Sequence, residues 1–89
     1  MWFFECPYGD QGLVRPLTTA SGLVVLLCDS GDEVWREPGL VSTTTPVIPE
    51  PPDWEVADGV TIVPGTTHWS ERNEIPDAWR EFHIHPGPD

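Results

Sequence analysis

The chain has 89 residues, of which 38% are hydrophobic, and it carries five tryptophans and three phenylalanines. This length allows one small domain. Burial of each aromatic side chain stabilises the fold by about 1.5–3 kcal/mol, so a few of them are enough to form its core. Fifteen carboxylates oppose four arginines and no lysine, so the formal net charge is -11. This charge excludes ordinary nucleic-acid binding, which needs a basic stripe, and it opposes adsorption to an anionic membrane surface.

We expect a cytoplasmic location. The first residues show no basic start followed by a long apolar stretch, which is the pattern of a secretory signal. The longest apolar run, residues 23–27, is far too short to cross a bilayer. In the cytoplasm two cysteines usually remain thiols.

The first 37 residues predict a small antiparallel meander of three to four strands. Extended segments at residues 2–5, 13–19 and 33–36 alternate with turns that contain glycine, aspartate and proline. Pro16 cannot donate a ladder hydrogen bond, so we expect its segment to be an edge strand or to carry a bulge. The sequence LVVLLC at residues 23–28 is apolar on both faces and predicts the central strand.

Residues 38–59 predict a proline-rich strap. Three prolines fall between residues 49 and 52, and because proline fixes φ and prevents sheet pairing, the segment should be extended and irregular. Val47, Trp54 and Val56 recur within it, and a flexible linker seldom carries such residues. We therefore expect the strap to pack across the sheet.

Residues 60–89 predict a strand, a short helix and a tail. Residues 60–63 read as a strand between turn signals. Pro76 suits the first position of a helix, and Trp79 and Phe82 fall on one face of it. The whole chain is predicted to be a mainly-β domain with three parts: a meander at residues 1–37, a strap at residues 38–59 and a strand with a short C-terminal helix at residues 60–89.

Two glycine-containing turns carry a family resemblance. CPYGDQG at residues 6–12 and CDSGDEVW at residues 28–35 resemble the two knuckle turns of a zinc-ribbon, or rubredoxin-like, domain, in which each turn usually runs Cys-x-x-Cys-Gly. Gly9 and Gly31 stand where the second cysteine of each turn would be, and a closed structural zinc site needs four ligands. The resemblance covers residues 2–36 and implies a degenerate, metal-free ribbon.

The state of Cys6 and Cys28 is left open between three alternatives. Two buried thiols acting as small core residues are favoured. A disulfide is the second alternative, because the turns of a ribbon lie side by side. A metal ion is the third, with His83 and His85 as further ligands in a Cys2His2 set, although paired histidine ligands are usually three to five residues apart. We predict no cofactor.

No sequence motif predicts catalysis. Cys28 with His68 or His83 forms a conceivable nucleophile and base, but no pattern brings them together. Fifteen carboxylates produce close pairs by chance. We therefore expect a protein that is not an enzyme.

The tryptophans and carboxylates predict a protein-binding surface. Tryptophan is enriched at binding hot spots, and an aromatic anchor ringed by acids suits a basic partner. We expect three or four tryptophans in the core and one or two exposed, with Trp54 and Trp69 as the best candidates for exposure. The predicted partner-binding residues are Glu50, Asp53, Trp54 and Glu55 in the strap, and Trp69, Glu71 and Glu74 beyond it.

The predicted function is non-enzymatic binding of a basic protein. Small size and high acidity fit a cognate inhibitor, such as a bacterial immunity protein that neutralises a toxin, because carboxylates can occupy sites meant for phosphate. The alternatives are a zinc-ribbon-like module and a small acidic accessory protein of a larger enzyme complex. Nucleic acid and membrane are not expected as partners.

Overall fold

Most of the regular structure belongs to one antiparallel sheet. The protein is described by a computed structural model, which covers residues 1–7, 12–31, 33–41, 45–57 and 59–86. The strands are β1 (Phe4–Glu5), β2 (Leu13–Thr18), β3 (Val24–Cys28), β4 (Val34–Trp35), β5 (Glu55–Ala57), β6 (Val60–Thr61) and β7 (His68–Trp69). The main sheet has the order β1-β2-β3-β4, and β7 pairs with β2; β5 and β6 form a second, two-stranded sheet. The prediction of a mainly-β domain built on an antiparallel meander is confirmed.

The apolar strand β3 is central, as predicted. It pairs with β2 on one side and with β4 on the other. Leu26 and Cys28 point into a large core on one face of the sheet, while Val25 points into a smaller core on the opposite face. A strand that is buried on both faces has no solvent side, which explains why its sequence does not alternate.

The two cores divide the buried side chains between the faces of the sheet. The smaller core joins the sheet to β5 and β6 through Val56 and Val60, which pack with Leu17, Val25 and Val34. The larger core brings the first residues and the C-terminal segment together. Its buried members are Phe3, Cys6, Val14, Val24, Leu26, Cys28, Trp35, Val41, Ile75 and Trp79.

The prediction of β2 as an edge strand is wrong. β2 pairs with β3 from Val14 to Thr18, and its other side pairs with β1 at Leu13 and Val14 and with β7 at Leu17 and Thr18. Pro16 lies where β1 has ended and β7 takes over, and its carbonyl still accepts a hydrogen bond from Ser70 N at 2.9 Å. Pro16 therefore lacks its backbone N–H only at the junction between β1 and β7, where the hydrogen-bond ladder tolerates the loss of one donor.

The strap packs on the sheet, as expected, but it is not wholly irregular. Val47 forms an antiparallel bridge with Val34, and Pro49 is buried. The strap then enters β5, which pairs with β6 through a register shift between Glu55 and Ala57. The expectation that proline prevents pairing fails at this end because the last proline of the segment is Pro52.

The C-terminal helix is a 3-10 helix, Asp77–Glu81, which buries Trp79 in the larger core. Two other 3-10 helices, Pro38–Leu40 and Arg72–Glu74, complete the helical structure of the described ranges. His85 forms a bridge with Trp2, and their rings stack with centroids 3.9 Å apart. Within the same ranges, no helix combines the length and the apolar character that spanning a membrane requires.

Candidate functional site

The strap is fixed at several points and exposed between them. Val34 and Val47 exchange two backbone hydrogen bonds, each with an N···O distance of 2.9 Å. The side chain of Pro49 is buried, and that of Val56 belongs to the smaller core. Residues 50–53 between these anchors are all exposed. The sheet therefore holds a solvent-facing segment in one place.

This segment combines apolar side chains with carboxylates. Val47 is 41% exposed and Ile48 is 49% exposed. The carboxylates of Glu50, Asp53 and Glu55 belong to exposed residues, and none of them makes an ion pair with an arginine or histidine of the described ranges. Glu55 Oε2 accepts a hydrogen bond from Gly59 N at 3.2 Å, but no cation of these ranges neutralises the three carboxylates. Their negative charge is therefore available to a partner. We call this set the acidic strap surface: Val47, Ile48, Glu50, Asp53, Trp54 and Glu55.

Trp54 has a strained backbone within this surface. Its φ is 56°, in the left-handed region that costs an L-residue roughly 1–2 kcal/mol. Two backbone hydrogen bonds of 3.0 Å hold it there: Trp54 N donates to Glu50 O, and Ile62 N donates to Trp54 O. The residue is half-buried. Backbone strain of this kind is frequent at ligand-binding sites, and this makes Trp54 the strongest candidate for a binding residue in the strap.

Trp69 is 38% exposed, but one face of its ring is already used. The guanidinium carbon of Arg15 lies 4.2 Å from the ring centroid, which is a cation–π contact. Arg15 and Arg72, half of the arginines of the chain, line a cavity of about 600 Å³ beside Trp69 together with Glu71. This surface is therefore mixed in charge, and it is less suited to a basic partner than the strap.

Glu71 and Glu74 are also engaged within the protein. They form a capping box around the 3-10 helix Arg72–Glu74, in which Glu71 N donates to Glu74 Oε1 at 2.8 Å. His68 Nε2 lies 2.9 Å from Glu74 Oε2. The N–H of Glu71, and after it the hydrogen bond from His68, lower the pKa of Glu74 below its ordinary value of 4.5. These contacts favour a charged carboxylate that is already partnered.

The tryptophans are more exposed than the sequence predicted. Only Trp35 and Trp79 are buried, while Trp2 and Trp54 are half-buried and Trp69 is exposed. The expected core of three or four tryptophans is therefore a core of two. The rest of the core is mainly aliphatic on both faces of β3, and the two cysteines belong to the larger core.

The two cysteines form a cluster with a carboxylate. Cys6 and Cys28 are both buried, and no disulfide joins them. Their sulfur atoms and a carboxylate oxygen of Glu33 all lie within 4.8 Å of one another. Sequence reasoning did not single out Glu33 as a ligand candidate; its place directly after the second knuckle-like turn was the available signal.

His83 and His85 do not join this cluster. Among the described residues, the group of possible metal ligands around the cysteines contains only Glu33 in addition. His85 pairs with Trp2, and Cys6 follows Trp2 by four residues, which is roughly 13 Å of extended chain. The histidine rings instead contact each other, with centroids 4.2 Å apart. The knuckle position Gly9 lies outside the described residues.

No protein-family model, curated protein or solved structure matches the chain. The fold defines a small mainly-β domain with a strap packed on its sheet.

Proposed function

We propose that the protein is a non-enzymatic binding domain that docks on a basic protein through the acidic strap surface. The observation that carries the proposal is the uncompensated charge of Glu50, Asp53 and Glu55 beside exposed apolar side chains. Carboxylates steer a cationic partner towards the surface, and apolar groups hold it once water is excluded.

Two features favour the strap over the Trp69 surface. Among the described residues the strap carboxylates make no ion pair, whereas Glu74 is paired with His68. Trp54 is held in a strained conformation by backbone hydrogen bonds, which keeps its position defined before a partner arrives. Pre-organisation of this kind lowers the entropic cost of association.

The proposed role is that of a cognate inhibitor, such as an immunity protein for a basic toxin. A toxin that acts on nucleic acid carries a cationic site for phosphate. Three exposed carboxylates within six residues of a pre-positioned strap are chemically suited to fill such a site. At low salt, the net charge of -11 attracts a basic protein over a long distance and opposes the binding of acidic proteins.

Affinity capture with charge-matched baits tests the proposal. One bait is the strap triple variant Glu50→Gln, Asp53→Asn, Glu55→Gln. The control triple is Glu5→Gln, Glu37→Gln, Glu81→Gln, which neutralises the same number of exposed carboxylates elsewhere. We expect a basic protein to be retained by the wild type and by the control triple, and to be lost from the strap triple.

Association rates of this protein with the purified basic partner distinguish attraction by the strap carboxylates from attraction by the total charge. The strap triple should associate more slowly and show a flatter salt dependence, because charges at the rim of an interface act mainly on the encounter rate. If the two triples slow association equally, the attraction comes from the total charge and the strap is not the docking surface.

A further inference from the structure

Backbone hydrogen bonds fix the positions of the two cysteines. Cys6 N donates to Gly12 O at 3.1 Å, and Cys28 N donates to Glu33 O at 3.0 Å. Asp29 joins them: its N–H donates to Leu13 O at 2.9 Å, and its Oδ1 accepts from Leu13 N at 2.8 Å. The sulfur atoms are therefore brought together by the pairing of β1 and β3 with the same strand, β2.

The donor atoms have the spacing that one small cation requires. The distance from Cys6 Sγ to Glu33 Oε1 is 3.9 Å, and all three donor atoms lie within 4.8 Å of one another. Ligands at the zinc–sulfur and zinc–oxygen distances of a tetrahedral site are separated from each other by ~3.5–3.8 Å. Side-chain movements of a few tenths of an ångström up to about 1 Å would bring the three donors into coordination.

We propose that Cys6, Cys28 and Glu33 form a binding site for a zinc ion. Two thiolates select a borderline-soft metal such as zinc, and a carboxylate oxygen is a common companion ligand. Three protein ligands leave one coordination position for water or for a group of a partner. This site differs from the set that contains His83 and His85, and it gives a ligand role to the two buried thiols that were expected to act as small core residues.

The surroundings of Glu33 support this assignment. Glu33 is half-buried, and within the described ranges it has no ion pair with an arginine or histidine. Its hydrogen-bond partner there is the Cys6 thiol. This partly desolvated carboxylate beside two buried sulfur atoms has no counter-charge from the described part of the chain, and a divalent cation would supply one.

Gly31 leaves the space that the carboxylate occupies. A Cβ atom at this position would collide with Glu33 Oε1. The glycine that stands in place of a second cysteine therefore allows a carboxylate from two residues further on to reach the sulfur atoms. Gly31 is a positioning residue in this proposal, because it contacts the ligand and not the ion.

Metal titration of the reduced protein tests the site. The protein is kept reduced with a phosphine, which competes weakly for zinc, and is titrated with Zn²⁺ and separately with Co²⁺ as a spectroscopic substitute. We expect one equivalent of either ion to bind, with a thiolate-to-Co²⁺ charge-transfer band that Zn²⁺ displaces. Absence of this band, or retention of Co²⁺ without it, would overturn the proposal.

Single substitutions identify the ligands. Cys6→Ser and Cys28→Ser should each weaken zinc binding by about 100-fold or more, and Glu33→Gln by at least about tenfold, since loss of a supporting outer-shell group alone costs about 10–100-fold. Glu37→Gln is the matched control, because it removes an exposed carboxylate nearby in the chain and should leave binding unchanged.

The glutamate variant keeps the test independent of folding. The cysteines are core residues, so a Cys→Ser variant can lose the metal through loss of structure, whereas Glu33 is only half-buried. The amide NMR spectrum of Glu33→Gln should retain the dispersion of the wild type. Equal zinc affinity in folded Glu33→Gln and Glu37→Gln would exclude Glu33 as a ligand and overturn the three-ligand site. Binding of a basic protein is measured separately and does not depend on this result.

Discussion

At the scale of single residues, Trp54 has the least favourable backbone conformation of the strap. Its left-handed backbone is held by the carbonyl of Glu50 and the amide of Ile62. A glycine would adopt this conformation without strain, so the presence of a large aromatic side chain has a conformational cost. That cost is compatible with selection for the ring itself as an anchor on a partner.

Substitutions at Trp54 separate the ring from the strain. Trp54→Ala removes the indole ring but keeps the backbone strain, because alanine also disfavours positive φ. Trp54→Gly removes the ring and the strain. We expect the glycine variant to be more stable than the alanine variant by about 1 kcal/mol, measured by chemical denaturation. Both should speed dissociation from a basic partner, with a loss of about 2 kcal/mol or more in binding free energy.

Trp69→Ala is the matched control for these variants. The Trp69 ring already carries the Arg15 guanidinium on one face, so its loss should have a smaller effect on a basic partner. If a partner binds both Trp54 variants normally while they unfold early, Trp54 serves the core and the binding surface lies elsewhere.

Glu74 makes the stability of the protein depend on pH. Its pKa is lowered, first by the N–H of Glu71 and then by His68. A carboxyl with a lowered folded-state pKa contributes stability that is complete above its unfolded value of about 4.5 and is lost as the pH falls through the folded value. Glu74→Gln should therefore flatten the decline in stability below that pH. Carboxyl NMR is the direct measurement, and titration of Glu74 at or above 4.5 would contradict the account.

At the scale of elements, the anchoring of the strap to β4 depends on two backbone hydrogen bonds. Val47→Pro removes the N–H that donates to Val34 O and should lower the free energy of unfolding by about 1–3 kcal/mol. Val47→Ala keeps both hydrogen bonds and removes a partly exposed side chain, so it should cost less. Hydrogen exchange at Val34 N, which donates to Val47 O, reports the loosening. Equal effects of the two substitutions would show that the bridge does not anchor the strap.

The sequence predicted elements where the local pattern and the tertiary environment agree. β3 is apolar throughout because both faces are buried, and this was readable from residues 23–28. Pro16 was misleading because its missing donor falls at a junction between β1 and β7, which depends on a strand more than fifty residues away. The pairing of β5 with β6 was missed because the composition of the whole strap outweighed the proline-free end.

The candidate sites were predictable only in part for the same reason. The strap carboxylates are neighbours in sequence, so their proximity followed from the chain itself. Arg15 over Trp69 and Glu33 beside Cys6 are contacts across strands. Such contacts require the register of the sheet, which residue spacing alone does not provide.

At the scale of the whole molecule, the net charge attracts a basic partner, while the exposed apolar side chains determine where it docks. A net charge of -11 attracts any cationic protein at low salt, whereas docking at one place requires apolar contacts next to the charge. The strap supplies both within one segment, since Val47, Ile48, Glu50 and Asp53 are all exposed. We therefore expect a basic ligand to bind at one preferred location and not evenly over the acidic surface.

Amide NMR mapping with a short peptide of arginine and leucine tests this claim most directly. The largest shift changes should fall on residues 47–55, persist in the control triple Glu5→Gln, Glu37→Gln, Glu81→Gln, and disappear in the strap triple Glu50→Gln, Asp53→Asn, Glu55→Gln. A matched peptide of arginine and serine should give smaller changes at the same residues, because it lacks the apolar contact. Shift changes spread evenly over the acidic surface, or centred on Trp69, would contradict the account.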